Sequence, residues 1–407
     1  MHNLAAKALL AASALLLVSA ARAEAPVTDQ VQSALESWLE RRAPVEKVTG
    51  IAAYISFGDP GPAIEAFAGK VGRDPQDPPV RQGTLFHMGS TSKSFTAAII
   101  LKLEAEGRLS LDDTVGHWLP EYPAWKDVDI RRLLNMSSGI PNYSETQEMS
   151  RIWSMEPSRT LTAEELVGLA YPTGSHDLPV TTGYHYSNTN YQLAGMIAAR
   201  AAGESYRDLV HEMIIAPLGL DSTFFESGPL PPEVIARLAH GYFENPVCTD
   251  YQPKDCKASW NLPFLGRDIR TSSTSWAGAA GGAIADARDV DRWMRAVFAG
   301  RVVPPKQQAE WLAMISQKTG RPITEVSAAD PGGFSLGLGR AMVAGPNWFY
   351  EGVTLGYRTL YVWYAAENIM VTLQTNSQPP DGEDRIGELA GQLEAIVKPL
   401  AHPAKAR

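Results

Sequence analysis

The chain has 407 residues, 44% of them hydrophobic, and its 45 acidic against 36 basic side chains give a formal net charge of −9. This length and apolar fraction can bury a large core, as one big or two intimately packed domains, while an acidic chain without a basic run argues against nucleic acid as a partner. Its two cysteines and eight histidines show no Cys-x-x-Cys, His-x-His or His-x-x-x-His spacing, so the sequence supports neither a dedicated metal site nor a cofactor.

The N-terminus reads as an export signal. Lys7 precedes an apolar stretch from Ala8 to Ala20, and Ala21-Arg22-Ala23 is a small-x-small cleavage pattern before Glu24. The stretch is too short to span a bilayer comfortably, and no second uncharged segment is long enough to do so. The expectation is a signal peptide over residues 1–23 and a periplasmic mature protein without stable membrane insertion. Removing that segment discards Lys7 and Arg22 and no acid, taking the net charge from −9 to −11.

Val27 to Arg42 is predicted as a capped amphipathic helix, Thr28 and Asp29 leading into Val31, Leu35, Trp38 and Leu39. Val48–Phe57 and Ala63–Val71 read as paired strands across the turn Gly58-Asp59-Pro60-Gly61-Pro62. Next comes Phe86-His87-Met88-Gly89-Ser90-Thr91-Ser92-Lys93-Ser94-Phe95, in which a helix starting at Ser90 and ending near Gly107 is expected from Phe95, Ala98, Ile99, Leu101 and Leu103. In that helix Ser90 and Lys93, three apart, share one face. Ser90 would occupy the N-terminus, where free N–H groups and the dipole favour developing negative charge. A serine hydroxyl is a poor nucleophile until its proton is removed, and a lysine one turn on can assist.

Residues 100 to about 300 show mostly helical patterns separated by Pro/Gly-rich loops, with no internal repeat. Within them Tyr186-Ser187-Asn188 is the second candidate motif. An ammonium about 4 Å from a phenolate contributes about 4 kcal/mol at an effective dielectric near 20. That is about three pKa units, enough to bring a tyrosine toward neutrality and make it a base for serine. Asn188 can offer an amide to a substrate carbonyl and its own carbonyl to the lysine. Cys248 and Cys256, if exported, read as a disulfide pinning a surface loop, worth about 2–3 kcal/mol on the chain-entropy model. Strands are expected at Phe334–Val343, Trp348–Val353, Arg358–Tyr364 and Ile369–Asn376, the last two as a hairpin over residues 365–368. A final helix carries Ile386, Leu389, Leu393, Ile396, Val397 and Leu400 at helical spacing. Strands at both ends around a helical middle suggest one sheet assembled from the two termini.

Ser90-Thr91-Ser92-Lys93 followed by Tyr186-Ser187-Asn188 resembles the serine hydrolase family of class C β-lactamases, D-Ala-D-Ala carboxypeptidases and related esterases. Residues 130–140 (Ile-Arg-Arg-Leu-Leu-Asn-Met-Ser-Ser-Gly-Ile), 217–223 (Pro-Leu-Gly-Leu-Asp-Ser-Thr) and 279–282 (Ala-Ala-Gly-Gly) are similar to its structural stretches. The resemblance implies a β-lactamase-like α/β (α+β) fold, with an antiparallel sheet from both chain ends flanked by helices. The sheet domain would take residues 24–99 and 300–407, a mostly helical inserted domain 100–299, and the active site would lie in the cleft between them. It further implies that Ser90 is the nucleophile, Lys93 and Tyr186 its base system, Asn188 a substrate contact, and the N–H groups of Ser90 and Val353 the oxyanion site.

The family's third motif, Lys- or His-x-Gly on a cleft strand, is here Tyr350-Glu351-Gly352. Tyr350 therefore stands where β-lactamases place a lysine that helps hold the substrate carboxylate. On a strand Tyr350 and Gly352 should face the cleft and Glu351 the other side, and Arg358 is the nearest cation to replace the missing lysine. Gly333-Phe334-Ser335-Leu336-Gly337 fits the Gly-x-Ser-x-Gly pattern of α/β-hydrolases but lacks its strand–elbow–helix setting, so Ser335 is read as structural. His185 and Asp177 could be read into a Ser-His-Asp triad, which a Tyr–Lys base makes unnecessary. Trp276, Trp348 and Tyr184 are expected to shape the pocket wall or core. The expected partner is a small molecule: a β-lactam or D-amino-acid peptide first, an ester as the rival, with a slow-turnover penicillin-binding protein as a third reading.

Overall fold

The structure, a computed structural model, describes residues 25–58, 60–172, 183–245, 265–342, 345–380 and 382–401. The signal-peptide pattern, Asp177 and both cysteines lie outside the described residues.

Nine strands form the main sheet: β1 (Gly50–Phe57), β2 (Ala63–Gly69), β3 (Met314–Ser316), β4 (Pro322–Ile323), β5 (Gly332–Phe334), β6 (Gly339–Met342), β7 (Pro346–Val353), β8 (Arg358–Tyr364) and β9 (Ile369–Thr375). Their order is β2-β1-β9-β8-β7-β6-β5-β3-β4, antiparallel at every pairing, so strands from the two chain ends meet at β1 and β9. β9 is buried at every residue, its polar Thr372, Gln374 and Thr375 included, because both of its faces are covered.

One face carries Ile51, Ala53, Ile55, Leu360, Val362, Val371 and Leu373. Helices α1 (Val27–Glu46) and α5 (Ile386–Val397) cover it with Val31, Leu35, Trp38, Leu389 and Leu393. α1 differs from its expected form. It begins after Pro26 without a side-chain cap, places Asp29 inside its first turn, and continues through Pro44 to Glu46 before Lys47 turns left-handed at φ 55°.

The opposite face packs Met370, Tyr361 and Trp348 against the helical layer. At its centre lies α2 (Lys93–Ala105), buried along almost its whole length, with Phe95 edge-on to Trp293 of α4 (Ala287–Phe298) at 4.9 Å. A small sheet of Phe86–His87, Ala283–Ala285 and Thr223–Phe225 ties the chain just before Ser90 to the Ala279–Gly282 stretch. The hairpin over residues 365–368 forms as expected, Tyr364 pairing with Ile369. The single strand expected over 334–343 is instead the β5–β6 pair, because Ser335–Leu338 makes a tight turn closed by Ser335 N–H to Leu338 O. Among the described residues no helix is long and apolar enough to cross a membrane.

Candidate active site

Ser90 lies in the 3-10 turn Gly89–Ser92, and Lys93 opens α2 directly after it. The turn is held by Thr91 Oγ1 donating to Met88 O at 2.8 Å and by Ser94 Oγ donating to Thr91 O at 2.6 Å. Lys93 is fully buried. Its ammonium has three N–H groups and three acceptors: Ser90 Oγ at 3.0 Å, Asn188 Oδ1 at 2.7 Å and Ala280 O at 2.7 Å. The local i, i+3 spacing sets the first; the small sheet delivers Ala280.

Tyr186 approaches from the other side, its hydroxyl 2.6 Å from Ser90 Oγ. It sits two residues before helix α3 (Asn188–Ala202). Met136 anchors its flanks: Met136 O accepts His185 N–H at 2.8 Å, and Met136 Sδ accepts Ser187 N–H at 3.4 Å. Met136 itself holds φ 63°, a left-handed conformation rare for such a side chain and maintained by these surrounding contacts.

Burial alone would push the Tyr186 hydroxyl up. The Lys93 charge, together with hydrogen bonds involving Lys93, Ser90 and Tyr350, outweighs it and holds Tyr186 below the ordinary tyrosine range. Burial likewise pulls the Lys93 ammonium down, opposed by the charge on Tyr186. The pair therefore suits a phenolate–ammonium couple touching a serine, an arrangement able to take the Ser90 proton.

β7 closes the site. Tyr350 Oη donates to Tyr186 Oη at 3.4 Å, and burial followed by the Tyr186 charge holds Tyr350 far above its usual value, so it stays a neutral donor. A Cβ at Gly352 would lie 1.9 Å from Met88 O and 2.8 Å from Ser90 N, so only glycine permits this approach. Gly89, at φ 54°, meets the strand from the other side, its would-be Cβ 2.8 Å from Val353 N. The Ser90 turn and the Val353 backbone are thereby pressed together.

Arg358 requires a correction. It pairs with Val353 across β7–β8, on the sheet face that Glu351 shares and Tyr350 does not. Its side chain is fully buried, donating to Glu46 at 2.7 Å, Asp384 at 2.6 Å and Ser377 O at 2.9 Å. It does not reach Ser90. Glu351 lies away from the site as expected, in the same acidic cluster, where burial and then the Asp384 charge raise its carboxyl strongly.

The structure thus brings Ser90, Lys93, Tyr186, Asn188, Tyr350, Gly352 and Val353 to one place and leaves out Arg358. Sequence reasoning missed the Ala280 carbonyl and the side chains behind Asn188. Asn188 Nδ2 donates to Ser144 Oγ, and Asn188 N–H to Asn142 Oδ1. Asn142 and Ser144 follow the helix-and-turn segment that the resemblance did pick out, but no local pattern marks them.

Ser335 is fully buried in the β5–β6 turn. Tyr184 packs on Phe334 at 5.7 Å, and Phe334 on Tyr350 at 5.6 Å, forming an aromatic wall beside Tyr186. Trp348 belongs to the core against Phe298, and Trp276 packs edge-on to Trp153 at 5.0 Å.

A family model described as Beta-lactamase matches residues 47–395. A 166-residue stretch is 36% identical to a penicillin-binding protein of Bacillus subtilis (strain 168), covering 40% of this chain and 36% of that protein. A stretch of 166 residues is 28% identical to a beta-lactamase of Psychrobacter immobilis, covering 40% and 38%. The chain thus spans little more than a third of the length of these curated relatives. Among solved structures, a D-stereospecific amidohydrolase from Streptomyces sp. is 26% identical with TM-score 0.67, covering 92% of this chain and 98% of that one. The D-amino acid amidase of Ochrobactrum anthropi SV3 complexed with D-phenylalanine has TM-score 0.72 at 22% identity, covering 92% and 99%, a likeness of fold.

Proposed function

The chain belongs to the beta-lactamase family of serine hydrolases, and from that premise we propose that it hydrolyses amides of D-configured amino acids or short D-peptides through an acyl-Ser90 intermediate. The observation that carries the choice of substrate is the strand beside the nucleophile. Where a carboxylate-binding lysine would stand, β7 offers Tyr350, already engaged with Tyr186, and Arg358 is locked in ion pairs on the far face. A substrate whose recognition rests on a free carboxylate loses its anchor; an amide does not. The D-stereospecific amidohydrolase among the structural neighbours supports the same class.

In this reading the Tyr186 phenolate, held by Lys93, takes the Ser90 proton as Oγ attacks the carbonyl carbon. The oxyanion rests on the N–H groups of Ser90 and Val353. Collapse breaks the C–N bond while Tyr186 returns the proton to the leaving amine. Water, deprotonated by the same phenolate, then releases the carboxylic acid and regenerates Ser90. Export, read from residues 1–23, places this activity outside the cytoplasm as part of the proposal. A second reading, acylation by penicillin, is favoured by the 36% identical stretch shared with a penicillin-binding protein.

The test is turnover of D-alanine amide, L-alanine amide, 4-nitrophenyl acetate and a penicillin, with intact-protein mass spectrometry of wild type and Ser90→Ala. Turnover of the D-amide at least about tenfold faster than the L-amide, with no Ser90→Ala adduct, is expected. Rapid penicillin hydrolysis with the D-amide untouched would replace the proposal by a β-lactamase; a long-lived penicillin adduct alone, by a penicillin-binding protein; ester cleavage alone, by an esterase. An adduct persisting in Ser90→Ala would remove Ser90 as nucleophile.

A further inference from the structure

All three N–H groups of Lys93 are committed, so the atom of Asn188 that faces the ammonium must be its carbonyl oxygen. An asparagine amide is nearly symmetric in shape, and packing alone does not choose between its two orientations. The choice is made by a chain of hydrogen bonds running away from the site. Asn188 Nδ2 donates to Ser144 Oγ at 3.0 Å, the Ser144 hydroxyl donates to Asn142 Oδ1 at 2.9 Å, and Asn142 Nδ2 donates to Glu145 Oε1 at 2.9 Å. Asn142 Oδ1 also receives the backbone N–H groups of Asn188 at 3.0 Å and Ser144 at 3.3 Å. Each link leaves the next one a single compatible direction, and the chain ends on a group that accepts.

We propose that Glu145 is a positioning residue of the hydrolytic site: as acceptor for Asn142 Nδ2 it holds in place the asparagine that anchors Ser144 and Asn188, and so keeps Asn188 Oδ1 on Lys93. Asn142 is 3% exposed, so its amide N–H groups need a protein acceptor. Without Glu145, Asn142 cannot turn over, because its Oδ1 is held by two backbone N–H groups. Its Nδ2 loses its acceptor, the asparagine shifts to find another, and Ser144 and Asn188 shift with it, drawing Asn188 Oδ1 off the ammonium. Lys93 is then less able to hold the Tyr186 phenolate. Glu145 is half-buried and has no ion pair among the described residues. Burial pushes its carboxyl up to about 7, with the Asn142 hydrogen bond drawing it down. A carboxyl kept there at that cost, beside Asn142 and not beside a cation, fits an acceptor role in either protonation state.

The inference rests on the acyl-serine chemistry and not on the choice of substrate. It is tested by the rate at which a fluorophosphonate probe labels Ser90, followed by intact mass, in the full chain and in Glu145→Ala, Glu145→Gln, Ser144→Ala and the Glu145→Ala/Ser144→Ala double variant. kcat and KM for 4-nitrophenyl acetate and D-alanine amide accompany it. Each alanine variant is expected to label about tenfold slower, the scale of one hydrogen bond to a charged group. The double variant should be no slower than either single one, because both break the same chain. Glu145→Gln, which keeps an acceptor oxygen, should stay within about twofold, and losses should fall on kcat with KM unchanged. Additive losses, a glutamine variant as slow as the alanine, or unchanged labelling throughout would overturn the inference alone. So would a loss confined to KM for the amine-bearing amide, which would make Glu145 a contact to the substrate ammonium. Wild-type Ser90 that does not label would overturn it together with the acyl-serine reading.

Discussion

Replacing Lys93 by Met keeps the length and apolar stem of the side chain and removes its charge. Two hydrogen bonds, 3.0 Å from Lys93 Nζ to Ser90 Oγ and 2.6 Å from there to Tyr186 Oη, put cation and phenolate at most ~5.6 Å apart. At that separation and an effective dielectric near 20 their attraction is about 3 kcal/mol, or roughly two pKa units on Tyr186. Burial already pushes this hydroxyl up, so the loss is not cushioned by solvent. The proposed mechanism requires the deprotonated phenol, hence a higher Tyr186 pKa moves the acid limb of kcat/KM to higher pH. At pH 7 the variant should lose at least about a hundredfold, recovering about tenfold per pH unit as Tyr186 ionises unaided. The assay is a pH profile of 4-nitrophenyl acetate or D-alanine amide turnover, beside wild type, with circular dichroism to confirm folding at each pH. A folded variant whose remaining activity is flat with pH would refute the reasoning, since Lys93 itself would then be the base.

Three further changes probe the neighbouring parts. Tyr350→Phe removes the weak donor to the Tyr186 phenolate and should raise the acid limb by about half a unit, the share of a long hydrogen bond worth about 0.7 kcal/mol; an unmoved limb in the same pH profile would separate Tyr350 from the base. Gly352→Ala sets a Cβ 1.9 Å from Met88 O. The strand must back away from Ser90, and fluorophosphonate labelling should fall by about a hundredfold, an oxyanion-donor-sized loss, while urea unfolding shows a fold that persists; unchanged labelling would mean that β7 tolerates the retreat. Glu351→Gln addresses the cluster behind the strand. Burial and the Asp384 charge raise the Glu351 carboxyl far above its unfolded value, so its contribution is intact below about pH 4 and is lost as pH rises toward the folded pKa. The variant should therefore melt about 1–2 °C above wild type at pH 7–8 and level with it near pH 4; a lower melting temperature at pH 8 would show that the ionised carboxyl is needed beside Arg358.

What was legible in the sequence is local, and what was not depends on register. Ser90 and Lys93 are three apart on one stretch of chain, so their meeting needs only a helical turn. Alternation along a strand likewise sufficed to turn Glu351 away from Tyr350 and Gly352. Arg358 obeys the same alternation, but its face depends on which β7 residue it pairs with. Paired with Val353, it stands on Glu351's side of the sheet; a register shifted by one residue would have turned it to the cleft. The pairing is set by the four-residue bend after Val353, closed by Thr354 N–H to Tyr357 O, and composition does not announce it. The same limit hid Ala280, which contributes a backbone carbonyl, and Asn142 and Ser144, whose role lies in the direction of their hydrogen bonds. Side-chain type indicates which chemistry is available; here the backbone register decides that Arg358 does not face the cleft, where it could have met a carboxylate. It is structural instead, neutralising Glu46 and Asp384 behind the strand that closes on Ser90.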